Sequence, residues 1–316
     1  MKETDLEPAQ QGQESEPRIG GLSPLRLTNN PLLSQYLDSI PSQLSAYSVT
    51  SLFIWQDFFN YYWTLVDDHL CLFARYDGNY YMPLPPLGSG FNPKAVRESF
   101  SLMEHLNSNP AVSRIENVGE ETAALYEGMG LRVRLNACEY LYRREAMVGL
   151  QGDANKSKRW AIISFLKHYE ASFEPFRLAD LLQCAELFDD WRSMRLEKFK
   201  DSYYKALMED ATLAHCRALE YYQDLKLMGR VVKIGGRVKG YTFGFELRPQ
   251  LFCILLEVCD LRIKGLAQFL FWKFCQELGE YTCINVLDDS GLENIRRVKE
   301  SYHPERLVPA YTVSRV

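Results

Sequence analysis

Four consecutive segments between residues 251 and 288 carry the strongest structural signal in this chain: LFCILLEVCD (251–260), LRIKGLA (261–267), QFLFWKFCQELGE (268–280) and YTCINVLD (281–288). The nearly continuous apolar run of the first segment predicts a buried strand. Apolar residues then recur at helical spacing and predict a helix, with one buried face made of Leu266, Phe269, Leu270, Phe274 and Leu278. Residues 281–287 predict a further strand.

The loop between that strand and helix, residues 262–267, reads R-x-x-G-x-A. Small residues at such a junction leave backbone N–H groups pointing out of the open helix end, where they can bind an anion. The alternative is an ordinary turn in which Gly265 only supplies a positive φ. If the loop binds an anion, we expect Gly265→Asp to abolish binding of the substrate that carries this anion, the donor, while the protein stays folded.

The succession of strand, loop, helix and strand resembles the core of the GNAT-type acyltransferase fold, whose pyrophosphate loop is (R/Q)-x-x-G-x-(G/A). This resemblance implies acyl transfer. It also implies that the phosphates of the acyl donor lie against a set of loop residues: Arg262, Lys264, Gly265 and Ala267.

Composition narrows the functional classes. The chain has 316 residues, 47% of them hydrophobic, enough for one large domain or two smaller ones. The net charge of −5 provides no overall attraction to nucleic acid or anionic lipid, so any such binding is local. No apolar run approaches the roughly 18 residues of a membrane span, and the polar N-terminus has no signal segment. We therefore expect a cytoplasmic protein, either free or peripheral to the membrane.

Cysteine and histidine usage does not indicate a metal site or a disulfide framework. The eight cysteines include no C-x-x-C pair and mostly lie in apolar runs, where a reduced thiol behaves as a small hydrophobe. The five histidines are isolated in the sequence. No tightly bound cofactor and no metal ion is predicted.

The pattern of elements runs twice after a polar tail at residues 1–20, which its composition predicts to be disordered. The first half, residues 21–148, predicts a helix (51–65) and a hairpin, in which a turn at Asp77-Gly78-Asn79 joins strands at 69–75 and 80–83. It then predicts a helix from Pro93, a strand (113–118), a helix (120–127) and a strand (131–142). The second half, residues 149–316, predicts helices (178–196, 204–225), a hairpin (230–234, 237–247) and the segments described above. A last helix is predicted to open with a capping box from Ser290 to Glu293. The predicted fold is therefore α+β: two tandem GNAT-like units, each a mixed, mostly antiparallel sheet flanked by helices, with the donor site in the second.

Motifs in the same order along the chain resemble the phosphatidylglycerol lysyltransferase C-terminal domain family (DUF2156), whose members are tandem GNAT-like proteins. The blocks that carry the resemblance lie at 53–62, 67–88, 139–142, 156–159, 240–246, 256–260, 264–265, 284–285, 289–291 and 295–304. The resemblance implies transfer of an amino acid from tRNA to a hydroxyl. Two positions depart from the family pattern: Val286-Leu287 replaces an Arg-Glu pair, and Trp160 replaces an asparagine.

Two carboxylates interrupt the end of the apolar strand, Glu257 and Asp260. Either could act as a general base, which typically contributes about 10²–10⁴-fold to a rate. The alternative for Asp260 is pairing with Arg262 or exposure to solvent. Glu257 lies within the apolar run, and burying a charge there is costly unless it is paired.

The remaining candidates come from two regions. Lys158 and Arg159 form a basic cluster that could contact tRNA or nucleotide phosphate, or could simply be a solvated helix start. The last strand and helix contribute candidate substrate-binding residues: Asn285, Asp289, Arg296 and Lys299. They also contribute Tyr302, a candidate proton donor to the leaving group. Helix capping for Asp289, a charged outer face for the cations and a structural role for Tyr302 are the alternatives.

The sequence therefore predicts an acyltransferase, most concretely one that moves an amino acid from aminoacyl-tRNA to a hydroxyl or amine of a small-molecule or lipid acceptor. A conventional acyl-CoA N-acyltransferase is the first alternative. A non-catalytic binding module of the same fold is the second, and the Val286-Leu287 departure favours it.

Overall fold

The structure is a computed structural model that describes residues 20–56 and 58–316, without the side chain of Leu27. Apart from Gly20, the predicted disordered tail lies outside the described residues. In the described part of the chain, none of the helices is both long and apolar enough to cross a membrane.

Helices and strands alternate irregularly, as expected for an α+β fold. The strands are β1 (Ser23–Pro24), β2 (Asn60–Val66), β3 (His69–Tyr76), β4 (Asn79–Tyr81), β5 (Arg114–Gly119), β6 (Arg132–Arg143), β7 (Ala171–Pro175), β8 (Met228–Ile234), β9 (Arg237–Arg248), β10 (Leu251–Cys259), β11 (Cys283–Asn285) and β12 (Arg306–Ser314). The α-helices are α1 (Asn30–Leu37), α2 (Val49–Ile54), α3 (Pro93–Leu106), α4 (Glu120–Gly128), α5 (Arg144–Gly149), α6 (Lys156–His168), α7 (Leu181–Lys198), α8 (Ser202–Glu220), α9 (Leu266–Glu277) and α10 (Glu293–Glu300).

The strands form two sheets. The first has the order β1-β2-β3-β4, and the second has the order β5-β12-β6-β11-β10-β9-β8-β7. Neighbouring strands are antiparallel except β10 and β11, which are parallel. An isolated parallel bridge between Met82 and Ile115 links the two sheets. The predicted mixed, mostly antiparallel arrangement is therefore present.

The C-terminal strand β12 lies between β5 and β6 and pairs with both. The eight-stranded sheet thus contains strands from both sides of the predicted division at residues 148 and 149. The assignment of residues 21–148 and 149–316 to two units remains a prediction. Strands β12 and β7 were not predicted; both pair with strands that are distant in the sequence.

The predicted helix at residues 51–65 is wrong in its second half. Helix α2 begins after Ser48, whose side chain accepts a hydrogen bond from the backbone N–H of Ser51, and it ends at Ile54. Residues 60–66 instead form β2 and pair one-to-one with β3. Aromatic and β-branched residues such as Trp63 and Thr64 favour a pleated strand, and pairing with β3 outweighed the apparent helical spacing.

The predicted capping box at Ser290–Glu293 is also wrong. Helix α10 begins at Glu293 with Leu292 as its N-cap, and no side chain caps it. The Ser290 backbone N–H instead donates to Asp288 Oδ1 at 2.9 Å. The aspartate side chain therefore forms a local turn that competes with the cap.

The signal from residues 251–288 is confirmed. Strand β10 is almost entirely buried, and the predicted apolar face of α9 is buried. Helix α9 packs across β9 and against α5 and α6. This packing fixes the first turn of α9 beside the end of β10.

Candidate active site

A cleft opens where β10 and β11 separate. The two strands pair in parallel only between residues 251–253 and residues 283–285. Strand β10 continues to Cys259, whereas β11 ends at Asn285, so residues 254–257 and 286–288 become opposite walls. Helices α9 and α10 complete a cavity of about 410 Å³, which we call the β10–β11 cleft.

The lining of the cleft is mainly apolar, with few charged groups. Its residues are Tyr142, Trp191, His215, Ile254, Leu255, Leu256, Glu257, Ala267, Gln268, Phe271, Val286, Leu287, Asp288, Ser290, Ile295, Val298, Lys299 and Tyr302. Of the predicted site residues, the structure brings Glu257, Ala267, Lys299 and Tyr302 to this one cavity.

Glu257 is the carboxyl group in the cleft that lacks a protein partner. Its Oε2 atom is shielded from solvent and makes no hydrogen bond to the described residues. Burial raises the pKa of Glu257 to about 8. A carboxyl with such a pKa can exchange a proton near neutral pH, which is the property a general base or acid needs.

The Tyr302 side chain lies in the same cleft and is held by an aromatic group. Its ring meets Phe271 edge-to-face at 5.2 Å between centroids and lies 6.3 Å from Tyr142. Burial, and secondarily the charge of nearby Glu257, raise the pKa of Tyr302 above its ordinary value. The phenol therefore stays protonated and can donate a hydrogen bond to an oxygen of a bound substrate.

Lys158 supports Tyr302 and does not face solvent. Its side chain is buried, its Nζ donates to the Ser301 carbonyl, and Nζ lies 4.6 Å from the centre of the Tyr302 ring. Burial lowers the pKa of Lys158. Arg159 is also engaged, because its Nη1 donates to the carbonyls of Leu150 and Gly152.

The first turn of α9 presents free backbone N–H groups to the cleft. Gly265 is the N-cap, with φ of +84° and no side-chain cap. Ala267 and Gln268 line the cavity, and neither backbone N–H donates a hydrogen bond to the described residues. Uncapped N–H groups at a helix start bind anions.

The corresponding helix start in the first half, at α3, is closed. Asn92 Oδ1 accepts from the backbone N–H groups of both Lys94 and Ala95, and Pro93 has no N–H to offer. The cap consumes the donors that an anion would need. The start of α3 therefore lacks the free N–H groups that the start of α9 has.

Gly265 is also required by packing. A Cβ built on Gly265 would lie 2.3 Å from the backbone oxygen of Ala161 in α6. This contact argues against the expectation that Gly265→Asp leaves the fold intact, because a side chain at this position would push α9 away from α6. Lys264 beside it is exposed.

Asp260 and Arg262 form a bidentate ion pair. Arg262 Nε and Nη2 donate to the two Asp260 oxygens at 2.7 and 2.9 Å, and Lys239 Nζ adds a contact at 3.1 Å. Burial alone would raise the pKa of Asp260, but these hydrogen bonds outweigh it and lower the pKa to about 2. Such a carboxylate is a poor proton acceptor at neutral pH. Of the two carboxylates, this geometry leaves Glu257 as the better candidate base.

Asn285 lies in a buried network behind the cleft. Its Nδ2 donates to the Gln43 carbonyl at 2.9 Å and to Glu139 Oε2 at 2.6 Å, while its Oδ1 accepts from the Leu287 N–H at 2.7 Å. Glu139 is further held by the Ser45 hydroxyl at 2.6 Å, and burial raises its pKa. This network fixes the chain where β11 ends and the cleft begins.

Lys299 closes the same turn from the other side. Its Nζ donates to the carbonyls of Val286 (2.6 Å), Leu287 (3.2 Å) and Asp288. Burial lowers the pKa of Lys299 to about 8. Lys299 therefore lines the cleft, but its ammonium group already donates hydrogen bonds to backbone carbonyls of the cleft wall.

Asp289 and Arg296 form a pair at the edge of the cleft. Arg296 Nε donates to Asp289 Oδ2 at 3.0 Å, and the Tyr140 hydroxyl donates to the same oxygen at 2.7 Å. Burial would raise the pKa of Asp289, but these donors lower it. Neither residue lines the cavity.

His215, which the sequence analysis did not single out, lies against the cleft. Burial lowers its pKa to about 3, so the ring is neutral, and its Nδ1 shares a hydrogen bond of 2.8 Å with the Tyr241 hydroxyl. A single histidine within an amphipathic helix gives no sequence signal for this placement. Trp191 of α7 also reaches the cleft from a distant part of the chain.

The sequence model of the family described as "Phosphatidylglycerol lysyltransferase, C-terminal" matches residues 38–314. The chain belongs to this family. The match covers most of the chain and both sides of the β10–β11 cleft. No curated protein sequence matches the chain significantly.

Solved structures agree on the fold. A conserved protein of unknown function from Bacteroides thetaiotaomicron has a TM-score of 0.82 at 19% identity, covering 92% of this chain and 98% of that one. L-PGS from Bacillus licheniformis has a TM-score of 0.63 at 15% identity, covering 97% and 94%. A tandem GNAT protein from the clavulanic acid biosynthesis pathway has a TM-score of 0.51 at 11% identity, covering 92% and 97%. The predicted tandem GNAT-like α+β fold is confirmed.

Proposed function

We propose that this chain transfers an aminoacyl group from aminoacyl-tRNA to a hydroxyl or amine acceptor, and that the reaction takes place in the β10–β11 cleft. The observation that carries the proposal is Glu257, an unpartnered carboxyl in a mainly apolar cavity beside the open start of α9. Membership of the phosphatidylglycerol lysyltransferase C-terminal family supports the choice of donor.

Each step has a candidate residue. Glu257 takes the proton from the acceptor hydroxyl or amine as its oxygen or nitrogen attacks the acyl carbonyl carbon. Tyr302 donates a hydrogen bond to the oxygen that becomes negative in the tetrahedral intermediate. When the intermediate collapses, the ester bond to the tRNA ribose breaks, and the ribose oxygen receives the proton that Glu257 had taken.

The donor phosphates have a candidate site at the start of α9. The free N–H groups of Ala267 and Gln268 face the cleft, and the exposed side chain of Lys264 adds positive charge nearby, whereas the charge of Arg262 is neutralised by its ion pair with Asp260. Fixing the donor there and the acceptor near Glu257 would supply orientation, which can lower a barrier by about 7–11 kcal/mol. Lys158 and Arg159 support the site through Tyr302 and the loop at Leu150.

Acyl-CoA is the second candidate donor, because an uncapped helix start beside a strand end also suits a pyrophosphate. Filter binding with charged and uncharged tRNA and thermal shift with CoA thioesters, both at low and physiological salt, separate the two donors. We expect salt-sensitive tRNA binding and no CoA effect. A CoA-induced rise in melting temperature without tRNA binding would replace the tRNA proposal with acyl-CoA chemistry. If the protein neither binds tRNA nor is stabilised by CoA thioesters, a non-catalytic binding module is favoured.

A further inference from the structure

We propose that the acyl group accepted by the β10–β11 cleft carries an apolar side chain, aliphatic or aromatic, and that the cleft discriminates against a cationic one. This inference rests on the proposed function, because it names the class of group bound at the same site.

The walls of the cleft are mainly hydrocarbon. Ile254 lies on the β10 side, Phe271 on α9, and Val286 and Leu287 on the opposite wall, with Ile295 and Val298 from α10 toward the solvent side. When an apolar ligand contacts such walls, its apolar surface is removed from water, and the ligand needs no polar groups to pair with the walls. A hydrocarbon side chain is the complement of this surface.

The cleft offers little negative charge to a cationic side chain. The charged residues of the lining are Glu257, Asp288 and Lys299. Asp288 Oδ1 accepts from the N–H of Ser290, and the Lys299 ammonium, which binds the Asp288 backbone carbonyl, interacts electrostatically with the Asp288 carboxylate. These two charges offset each other. Glu257 remains, but burial raises the pKa of its carboxyl to about 8, so this carboxyl is mostly neutral at pH 7 and offers a cation little negative charge.

The backbone of Leu287 is held in an unusual conformation. This residue has φ of +63°, a left-handed conformation that leucine rarely adopts. The conformation is enforced from three sides: Asn285 Oδ1 binds its N–H, and its carbonyl accepts from the Tyr140 N–H and from Lys299 Nζ. Strained residues held by their surroundings concentrate at ligand sites. Here the strain holds an aliphatic side chain in the cleft wall.

Amino-acid amides test the inference because they mimic the aminoacyl end of the donor. Isothermal titration calorimetry of the full chain would compare leucinamide, phenylalaninamide and lysinamide. We expect the two apolar amides to bind at least about tenfold more tightly than lysinamide. Equal or tighter binding of lysinamide, or no binding of any amide, would overturn the inference.

A variant pair sharpens the test. Leu287→Asp adds a carboxylate to the wall, and aspartate tolerates the left-handed conformation better than leucine does. We expect this variant to lose most of the apolar preference and to gain affinity for lysinamide. The control, Leu182→Asp, changes an exposed leucine on α7 that does not line the cleft and should leave the preference unchanged. An unchanged preference in Leu287→Asp would contradict the inference.

The two proposals fail differently. If the amides bind in the predicted order but no aminoacyl-tRNA is consumed, the proposed function fails and the assignment of the cleft stands. If transfer occurs with lysyl-tRNA in preference to leucyl-tRNA, the function stands and the inference fails.

Discussion

The Lys158 ammonium lies 4.6 Å from the centre of the Tyr302 ring and donates a hydrogen bond to the carbonyl of the preceding residue, Ser301. One buried cation from α6 thereby fixes both the backbone and the ring of a tyrosine that lines the β10–β11 cleft. The basic cluster of the sequence thus includes a residue whose contacts are internal.

Replacing Lys158 by methionine tests this positioning role. The variant keeps an unbranched apolar chain but removes the hydrogen bond and the cation–π contact. We expect the free energy of unfolding to fall by about 1 kcal/mol. We also expect kcat for transfer to fall by up to about 10²-fold, with little change in KM, because Tyr302 loses its orientation. Lys167→Met, on the exposed end of the same helix, is the control; equal effects of the two variants would remove Lys158 from the site.

The titration of Glu257 predicts a pH dependence of stability. Its pKa is about 8 in the folded protein against 4.5 for an ordinary glutamate, so the folded state binds the proton more tightly. This contribution to stability is fully present below pH 4.5 and is lost as the pH rises through about 8. The slope reaches at most about 1.4 kcal/mol per pH unit. Urea unfolding between pH 5 and 8.5 should show a shallower decline for Glu257→Gln than for the parent or the exposed control Glu280→Gln; identical slopes would contradict the assignment.

Two glycines make a matched pair for the packing of α9. Gly265→Ala places a Cβ 2.3 Å from the Ala161 oxygen at a φ of +84°, whereas a Cβ on Gly279 meets nothing within 4 Å. We expect Gly265→Ala to lower the free energy of unfolding by about 1–3 kcal/mol. Gly279→Ala should be neutral within about 0.5 kcal/mol. Thermal denaturation decides, and a parent-like melting temperature for Gly265→Ala would show that α6 and α9 pack differently.

One of the free backbone N–H groups at the start of α9 can be removed without disrupting the helix. Ala267→Pro deletes one free N–H in the first turn, where proline is tolerated. We expect the affinity for the donor phosphates to fall by about 10–100-fold, the equivalent of one charge-assisted hydrogen bond. Ala267→Ser keeps the N–H and should bind like the parent. Binding of the charged donor is the measurement, and equal affinities for both variants would place the phosphates elsewhere.

Local signals explain what the sequence could predict. The apolar run of β10 and the helical spacing of α9 lie within adjacent segments, so their pairing needs no distant information. Glu257 stood out for the same reason, as a charge inside an apolar strand. Asp77-Gly78 likewise predicted the hairpin of β3 and β4, because both residues adopt the positive φ that such a turn requires.

The rest depends on contacts between distant parts of the chain. The sequence of β12 carries no local signal of its place between β5 and β6. Residues 60–65 of β2 were predicted to be helical, because pairing with β3, and not the spacing of apolar residues, decides that they form a strand. The buried bond between Glu139 and Asn285 joins residues 146 positions apart. Lys158 and His215 are a charged and a polar residue whose burial follows only from the packing of α6 and α8. These are tertiary effects that override local pattern.

Single-turnover transfer from labelled aminoacyl-tRNA tests the central claim most directly, comparing the parent, Glu257→Gln and the exposed control Glu280→Gln at pH 8. We predict that Glu257→Gln binds the charged tRNA like the parent but transfers about 10²–10⁴-fold more slowly, while the control transfers normally. A parent-like rate for Glu257→Gln would contradict the assignment of Glu257 as the base and, with it, the location of the reaction in the β10–β11 cleft.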